Sequence, residues 1–222
     1  MPSSEQKRQK KLAKKQAKTK KRLSDIAKRK QALTSISGKM LAARSGDIIG
    51  CFISEESTAP GMRSVLLIRR GPQGLYAAAF FLLDMLCLGV KDCGYHVADR
   101  DRIESLRESM DNQLGLVPIE PSTARGIVEA AINYAASFGL PAHGDYRIGK
   151  ILWGDIPVGK VPADIEFGKD GKPLYIAGPH DDLHRQKFIL NALAVTTGED
   201  KFDFITHVLK EDPTIALEEA DY

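Results

Sequence analysis

The sequence predicts an α+β fold, in which an antiparallel sheet packs against three or four helices. Short apolar segments separated by turn residues come first along the chain, and segments with the 3.6-residue period of an amphipathic helix follow them. Strands and helices do not alternate regularly, which argues against a parallel sheet built from β-α-β units. With 222 residues, 43% of them hydrophobic, the chain is long enough to bury such a core.

An antiparallel meander is predicted for the first part of the sheet. Residues 47–54 and 63–70 have the apolar, β-branched character of strands, with turn residues between them. Residues 71–74, Gly-Pro-Gln-Gly, are a clear turn, and a third apolar segment follows at 75–83. That segment is rich in alanine, so a short helix is compatible with it as well.

Two helices are predicted after the meander. Residues 99–112 place apolar side chains on one helical face, and so do residues 121–138. Ser122 is a plausible N-cap of the second helix, and Gly139 is a plausible stop signal. The inward positions are predicted to be Ile103, Leu106 and Met110 in the first helix and Ile127, Ala131, Tyr134 and Phe138 in the second.

The last third of the body is predicted to be loop, hairpin and helix. Residues 141–162 are rich in Gly and Pro, with one short strand expected at 148–153. Residues 164–167 and 174–177 flank a Gly-containing turn and predict a hairpin. A helix capped by Asp181 or Asp182 should then run to Leu193 with Phe188, Ile189 and Ala192 facing inward, and a shorter helix should follow near 202–209.

Charge divides the chain into a basic tail and an acidic body. Residues 1–30 hold 13 of the 32 Lys and Arg and 2 of the 29 Asp and Glu, a net charge of +11. The remaining residues hold 19 basic and 27 acidic residues, a net charge of −8. We therefore expect a Lys-rich tail and linker at 1–38, with the linker itself at 34–38, a single α+β domain at 39–210 and an acidic end at 211–222. Because like charges repel, the tail should be disordered or a fraying helix.

The expected compartment is the cytoplasm. The chain has three cysteines, an odd number that suits a reducing environment better than a disulfide framework. The N-terminus lacks the apolar region of a secretory signal. The longest apolar run, residues 75–90, is interrupted by Asp84 and is shorter than the roughly 20 residues that a membrane span needs, so no membrane association is expected.

Three stretches resemble a family of uncharacterised bacterial proteins. They are FLLDMLCLGVKDC at 81–93, AAINYAASFGLPAH at 130–143 and IEFGKDGKPLYIAGPHDD at 165–182. The first and third are similar to that family's "LVDxxCLGVKD"-like and "FGKDGKPxYxxGPxDD"-like segments. The resemblance covers most of residues 45–195 and leaves out the tail. It implies a bacterial, cytosolic protein and supplies no catalytic residues.

The basic tail is the strongest functional signal, and it indicates contact with RNA or DNA. Clustered cations bind phosphate backbones by releasing counterions, without reading sequence. The tail contains no aromatic residue, so base stacking is not expected. A solvated helix that only aids solubility, an acidic protein partner and an anionic membrane surface are the alternatives. The predicted phosphate-neutralising residues are Lys7, Lys10, Lys11, Lys14, Lys15, Lys18, Lys20, Lys21 and Arg22.

A carboxylate cluster is the basis of a second hypothesis, a metal-dependent nuclease or phosphohydrolase. Asp84 interrupts an apolar run, and an unpaired buried carboxylate is costly. Together with Asp92, Asp164 and Glu166 it would bind Mg²⁺. The plainer interpretation, which we favour, is that Asp84 caps a helix or turn and that the other three carboxylates lie on the surface.

His180 and His184 are candidate metal ligands, because residues four apart share one face of a helix. Cys87, Cys93 and His96 would be further ligands, or a cysteine nucleophile with its base. The apolar neighbours of Cys87 favour a buried, inert thiol, and the aspartates beside the histidines are explained as helix caps. The glycine-containing loop at 149–159, with Lys150 within it and Lys160 directly after it, matches no phosphate-binding motif.

We therefore expect a non-enzymatic nucleic-acid- or ribonucleoprotein-associated factor that docks through its tail and needs no cofactor. The acidic body would contact a protein partner. The metal-dependent nuclease, with Mg²⁺, is the alternative, and a pure protein-interaction module is the third possibility.

Overall fold

The computed structural model describes residues 20–21, 35–55, 60–198 and 200–206, and it has the predicted α+β fold. Helices lie on both faces of one antiparallel sheet. In chain order the helices and strands are α1 (Ile36–Ala43), β1 (Ile48–Ser54), β2 (Met62–Arg70), β3 (Tyr76–Asp84), β4 (Gly89–Ala98), α2 (Arg100–Leu114), β5 (Leu116–Pro118), α3 (Pro121–Ala136), α4 (Tyr146–Gly149), β6 (Leu174–Ile176), α5 (Leu183–Thr197) and β7 (Asp203–Ile205). Short 3₁₀ turns cover Pro72–Gly74 and Lys150–Trp153.

The five-stranded sheet has the order β4-β3-β2-β1-β5, and all of its neighbouring strands are antiparallel. The predicted meander is confirmed, and its register places Leu67 opposite both Cys51 and Ala79. The structure adds a fourth meander strand, β4, which the sequence analysis did not predict. Strand β5 returns after α2 to pair with β1 at the other edge.

Both faces of the sheet are covered, which explains the continuous apolar runs in its central strands. Val65 and Leu67 pack on the face that carries α1, α3 and α4. Leu66 and Ile68 point to the opposite face, where the apolar side of α2 covers them. The alanine-rich segment that was compatible with a helix is strand β3, which lies between β2 and β4 and is buried on both sides.

The two predicted long helices are confirmed, and their caps explain their limits. Asp99 caps α2 by accepting from the backbone N–H of Arg102, and Gly115 ends it in a left-handed conformation with φ of 60°. The prediction that Ser122 caps α3 is wrong. Glu120 occupies the cap position and Pro121 the first turn, since the fixed φ of proline suits the start of a helix.

Helix α5 begins after Asp182, one of the two predicted caps, whose carboxylate accepts from the N–H of Arg185. Its predicted inward face is wrong at Phe188, which is 52% exposed. The prediction is confirmed at Ile189, which is buried, and Ala192 packs beside it. Leu193 is buried as well, because α5 packs on a small separate cluster around Tyr175 rather than on the sheet.

One predicted strand and one predicted hairpin of the last third are wrong. Residues 148–153 form α4 and a 3₁₀ turn instead of a strand. The hairpin is reduced to one bridge between Lys169 and Lys172, because β6 pairs in parallel with β7 rather than with residues 164–167. The predicted helix at 202–209 is strand β7 over Asp203–Ile205, and its residues 207–209 lie outside the described residues.

The predicted linker at 34–38 is wrong from Ser35 onward, because Ser35 caps α1 and its hydroxyl oxygen accepts from the N–H of Gly38 at 3.1 Å. The tail lies outside the described residues except for Lys20 and Lys21, which are helical and exposed. The acidic end at 211–222 lies outside them as well.

Candidate nucleic-acid interface

Helix α1 fixes the point at which the Lys-rich segment joins the body. Residues 1–34 lead directly into Ser35, the N-cap of α1. Met40 and Ala43 are buried against the sheet, and this burial holds the helix in place. Leu41 is 52% exposed and lies with Arg44 on the outer side of the helix. The Lys-rich segment therefore joins the body at the start of this helix.

A cationic cleft lies beside α1, with a volume of about 350 Å³. We use this name for the cleft whose wall includes Leu41, Arg44, Arg125, Glu129, Lys150 and Trp153. These residues come from α1 and Arg44 at its C-cap, from α3, and from the 3₁₀ turn at Lys150–Trp153. Three cations and one carboxylate give this set a formal charge of +2, although the body as a whole is acidic.

A buried arginine holds two walls of the cleft together. Arg69, on β2, is 3% exposed and donates to the backbone oxygen of Gly46 at 2.8 Å and to that of Trp153 at 3.2 Å. Its guanidinium also bonds Asp155 at 3.2 Å. The segment after α1 and the 3₁₀ turn are thus tied to the same side chain, because both present carbonyl oxygens to it.

Gly154 lets the backbone of the 3₁₀ turn approach α1 closely. Its φ is 53°, in the left-handed region, and a Cβ at this position would lie 2.3 Å from the backbone oxygen of Arg44. Only glycine satisfies both conditions without a shift of the backbone. The spacing between Arg44 and the turn therefore depends on this glycine.

Two N–H groups in the cleft wall have no hydrogen-bond partner within the described part of the chain: Trp153 Nε1 and Arg125 Nε. Trp153 is 1% exposed and stacks on Phe81, with ring centroids 5.2 Å apart and an interplanar angle of 12°. The Nη1 atom of Arg125 donates to the backbone oxygen of Ile156. Leaving a buried donor without an acceptor costs about 1–3 kcal/mol, so both groups need an explanation.

Glu129 and Tyr146 orient the cations of the cleft. Arg125 Nε lies 3.7 Å from a carboxylate oxygen of Glu129, which accepts from the hydroxyl of Tyr146 at 3.2 Å. Burial, followed by the charge of Glu129, raises the pKa of Tyr146, so its hydroxyl remains a donor at neutral pH. Lys150 Nζ lies 5.7 Å from the centroid of the Tyr146 ring, a cation–π distance.

The four candidate carboxylates are not brought together. Among the residues that the structure describes, no group of three or more His, Cys, Asp or Glu side chains is arranged to hold a metal ion. Asp84 is buried at the end of β3, whereas Asp164 and Glu166 are exposed in a separate groove of about 460 Å³. Asp92 is on β4, where it accepts from the N–H of Cys93 and lies 3.8 Å from His143.

Asp84 has the capping role that the sequence analysis favoured. Its Oδ1 accepts from the backbone N–H of Leu86 and of Cys87, each at 3.0 Å, and from that of Leu88 at 3.4 Å. Burial raises the pKa of Asp84, and the positive charge of Lys91 and the three backbone donors act in the opposite direction. The carboxylate thus shapes the turn between β3 and β4.

The histidine and cysteine candidates lie apart as well. His180 precedes α5 and His184 lies in its first turn, and both are exposed. Burial is the largest cause that raises the pKa of Cys93 to about 12, and it also raises the pKa of Cys87. A buried thiol that stays protonated is a poor nucleophile.

Two of the three stretches singled out in the sequence, 81–93 and 165–182, meet near Asp181. Its Oδ2 accepts from the N–H of Gly178 at 2.8 Å and from the Tyr175 hydroxyl at 3.2 Å, and its Oδ1 pairs with Arg185 at 2.8 Å. Lys91, from the first motif, packs on Gly178, since its Nζ lies 3.1 Å from the position of a Cβ there. These contacts join loops, and they assemble no metal site.

Comparison with protein-family models, curated proteins and solved structures found no match to this chain. In the described residues, no helix has the length and apolar character that crossing a membrane requires.

Sequence reasoning missed the cationic cleft. Arg44, Arg125 and Trp153 lie on three elements that are far apart in the chain, so no spacing pattern joins them. The available signal was Lys150 and the chain's one tryptophan within the glycine-containing loop at 149–159, which matched no known motif.

Proposed function

We propose that this protein is a non-enzymatic factor that associates with RNA or DNA, or with a ribonucleoprotein, and docks on the phosphate backbone through its Lys-rich tail. One observation carries the proposal: the segment with 13 basic and 2 acidic residues enters the body at Ser35, one short helix away from the cationic cleft. An eight-residue helix is about 12 Å long, so one nucleic-acid strand can reach both regions.

Electrostatics explains why the tail suits a polyanion. Each phosphate neutralised by Lys or Arg releases condensed counterions, and this gain requires no defined base contact. The tail contains no Phe, Tyr or Trp to stack on bases. Binding should therefore be strongly salt-dependent and only weakly sequence-dependent.

The net acidic body supports a division of labour between the two parts. A charge of −8 outside residues 1–30 opposes spreading of nucleic acid over the body, so contact is confined to the tail and the cationic cleft. The rest of the body is then free to contact a protein partner. The three buried cysteines are not joined in disulfides, which supports a reducing compartment, the cytoplasm.

We also propose that the resemblance to the bacterial family reflects a shared core rather than a shared active site. The motif aspartates described above, Asp84 and Asp181, accept hydrogen bonds from backbone N–H groups. Such residues define loop conformations, and this role accounts for their position in the motifs without any reaction.

Binding of two full-length charge variants tests the proposed function. In the tail variant, five lysines become glutamine: Lys7, Lys10, Lys11, Lys14 and Lys15. In the matched control, five exposed body lysines become glutamine: Lys160, Lys169, Lys172, Lys187 and Lys201. Both variants have the same net charge, so only the position of the charges differs.

The tail variant should bind fluorescent single-stranded RNA and duplex DNA at least about tenfold more weakly than the wild type, because several phosphate contacts are lost. The control should stay within about threefold of the wild type. Equal losses in both variants would contradict docking through the tail. Cleavage of the probe in Mg²⁺ would contradict a non-enzymatic role.

A further inference from the structure

We propose that the cationic cleft binds a phosphomonoester, the terminal phosphate of the nucleic-acid strand that the tail holds. This inference rests on the proposed function for the strand. The support for a phosphate site is the charge of the cleft, the donors in its wall and its fixed shape.

The charge of the cleft matches a phosphomonoester better than an internal phosphate. Arg44, Arg125 and Lys150 contribute three positive charges and Glu129 one negative charge, which leaves +2. A phosphomonoester carries about −1.5 to −2 at pH 7, whereas a backbone phosphodiester carries a single negative charge. A terminal phosphate therefore neutralises the cleft more completely than a phosphate within the strand.

The donors of the cleft wall lack acceptors that a phosphate would supply. Trp153 Nε1 and Arg125 Nε are buried without a hydrogen-bond partner in the described residues. A phosphate group brings three strong acceptor oxygens. A phosphate in the cleft would bring acceptor oxygens to the wall that contains these donors, which neither a hydrophobic ligand nor a cation would do.

The cleft is held in one shape before any ligand arrives. Arg69 joins the turn that carries Trp153 to the segment that follows Arg44. Glu129 receives a hydrogen bond from Tyr146 and lies beside the Arg125 guanidinium. Because these side chains are ordered by other contacts, less entropy is lost on binding.

The groove of about 460 Å³ that contains Asp164 and Glu166 has the opposite charge to the cationic cleft. Its charged side chains are Arg63 and Lys169 against Asp164, Glu166 and Asp170, a net charge of −1. Such a groove repels a phosphate, so the preference for the cationic cleft follows from charge rather than from size.

The test measures how full-length protein binds three versions of one 12-nucleotide RNA: with a 5′-phosphate, with a 3′-phosphate and with hydroxyls at both ends. One phosphorylated RNA should bind roughly tenfold more tightly than the hydroxyl form, as two charge-assisted contacts would provide. The double variant Arg44→Gln with Lys150→Gln should lose this preference, so that it binds all three RNAs with the same affinity. Both side chains are exposed, so the fold should survive.

The control is the double variant Lys160→Gln with Lys172→Gln, which has the same charge and should keep the preference. Equal binding of all three RNAs by the wild type would overturn the terminal-phosphate site and leave the proposed function intact. Failure of all three RNAs and of duplex DNA to bind would overturn the proposed function as well.

Calorimetry with inorganic phosphate identifies the source of the phosphate. No preference among the RNAs, combined with phosphate binding that Arg44→Gln with Lys150→Gln abolishes, would assign the cleft to a free phosphate and overturn the strand terminus. Competition by inorganic phosphate against only the phosphorylated RNA would support the proposal.

Discussion

The buried guanidinium of Arg69 donates a hydrogen bond to the backbone oxygen of Trp153 at 3.2 Å. These residues are 84 positions apart in the chain, and the bond joins the centre of the sheet to the wall of the cationic cleft. The backbone oxygen of Gly46 accepts a hydrogen bond from the same guanidinium at 2.8 Å. A single core side chain therefore sets the distance between α1 and the turn that carries Trp153.

Replacing Arg69 by methionine should destabilise the protein and loosen the cleft. The change keeps apolar volume and leaves the backbone oxygens of Gly46 and Trp153 without their donor. We expect a loss of about 2–4 kcal/mol in the free energy of unfolding, measured by urea denaturation. Asp155→Asn is the comparison, and it should cost much less stability than Arg69→Met, because the side chain of Asp155 is largely solvent-exposed. Similar stabilities for Arg69→Met and the wild type would contradict the claim that the hydrogen bonds of Arg69 hold these two segments together.

Gly154→Ala should weaken both the fold and the binding of phosphorylated RNA. The added methyl group would clash with the backbone oxygen of Arg44, and alanine disfavours the φ of 53°. The expected destabilisation is about 1–3 kcal/mol. Gly171→Ala is a matched control, since its φ is 77° but a Cβ there meets nothing within 4 Å. Equal effects of the two variants would show that backbone conformation alone, rather than contact with Arg44, matters at position 154.

The carboxyl group of Asp84 should stabilise the folded protein more at acidic pH than at neutral pH. Burial raises its pKa in the folded state above the ordinary value of about 4, so the folded protein binds this proton more tightly than the unfolded chain does. The stability from this proton is complete below the ordinary pKa and is lost as pH rises through the raised one. Asp84→Asn removes the titration and keeps an oxygen for the turn. The wild type should therefore lose stability relative to Asp84→Asn as pH rises from 4 to 7 in urea unfolding experiments.

Identical pH slopes for the wild type and Asp84→Asn would contradict this account of the carboxyl. Asp84→Ala is the second comparison, because it removes the acceptor of three backbone N–H groups. Relative to Asp84→Asn, it should cost about 1–3 kcal/mol in the free energy of unfolding at any pH in this range.

The three cysteines should be unreactive in the folded protein. Burial is the main reason that the pKa of Cys51 and of Cys93 rises to about 12, and Cys87 is fully buried. Because the thiolate is the reactive form, a disulfide reagent such as DTNB at pH 8 should label them at least about a hundredfold more slowly than in urea. Rapid labelling of one thiol under native conditions would place that cysteine at an accessible, reactive site.

The sheet and the longer helices were predictable because their signals are local. The turn at 71–74, the apolar runs beside it and the cap of α2 at Asp99 each specify structure within a few residues. Strand β4 was missed because Gly89–Ala98 contains Lys, Asp, Gly and His, which obscure the pattern of an edge strand. The pairing of β4 with β3 becomes visible only in the folded structure.

The residues that meet at the candidate sites lie far apart in the chain, so no local sequence pattern predicts their contact. Asp84 was predicted as a turn cap from its place in an apolar run, and the structure shows that contact. The pairing of β6 with β7 replaced the expected hairpin, since the partner strand lies almost 30 residues later. The cationic cleft combines Arg44 with Arg125, and only the folded sheet brings those two helices together.

The salt dependence of RNA binding tests the central claim, tail-driven docking, most directly. Association constants of the wild type and of the five-lysine tail variant would be measured with single-stranded RNA from 50 to 300 mM salt, and their logarithms plotted against log salt. Each phosphate contact contributes a slope of about −0.7, so the wild type should show a slope of several units. The tail variant should have a shallower slope, by about 0.7 for each lysine that touches a phosphate. Identical slopes for the two proteins, or a wild-type slope near zero, would contradict the claim that the tail docks the protein on nucleic acid.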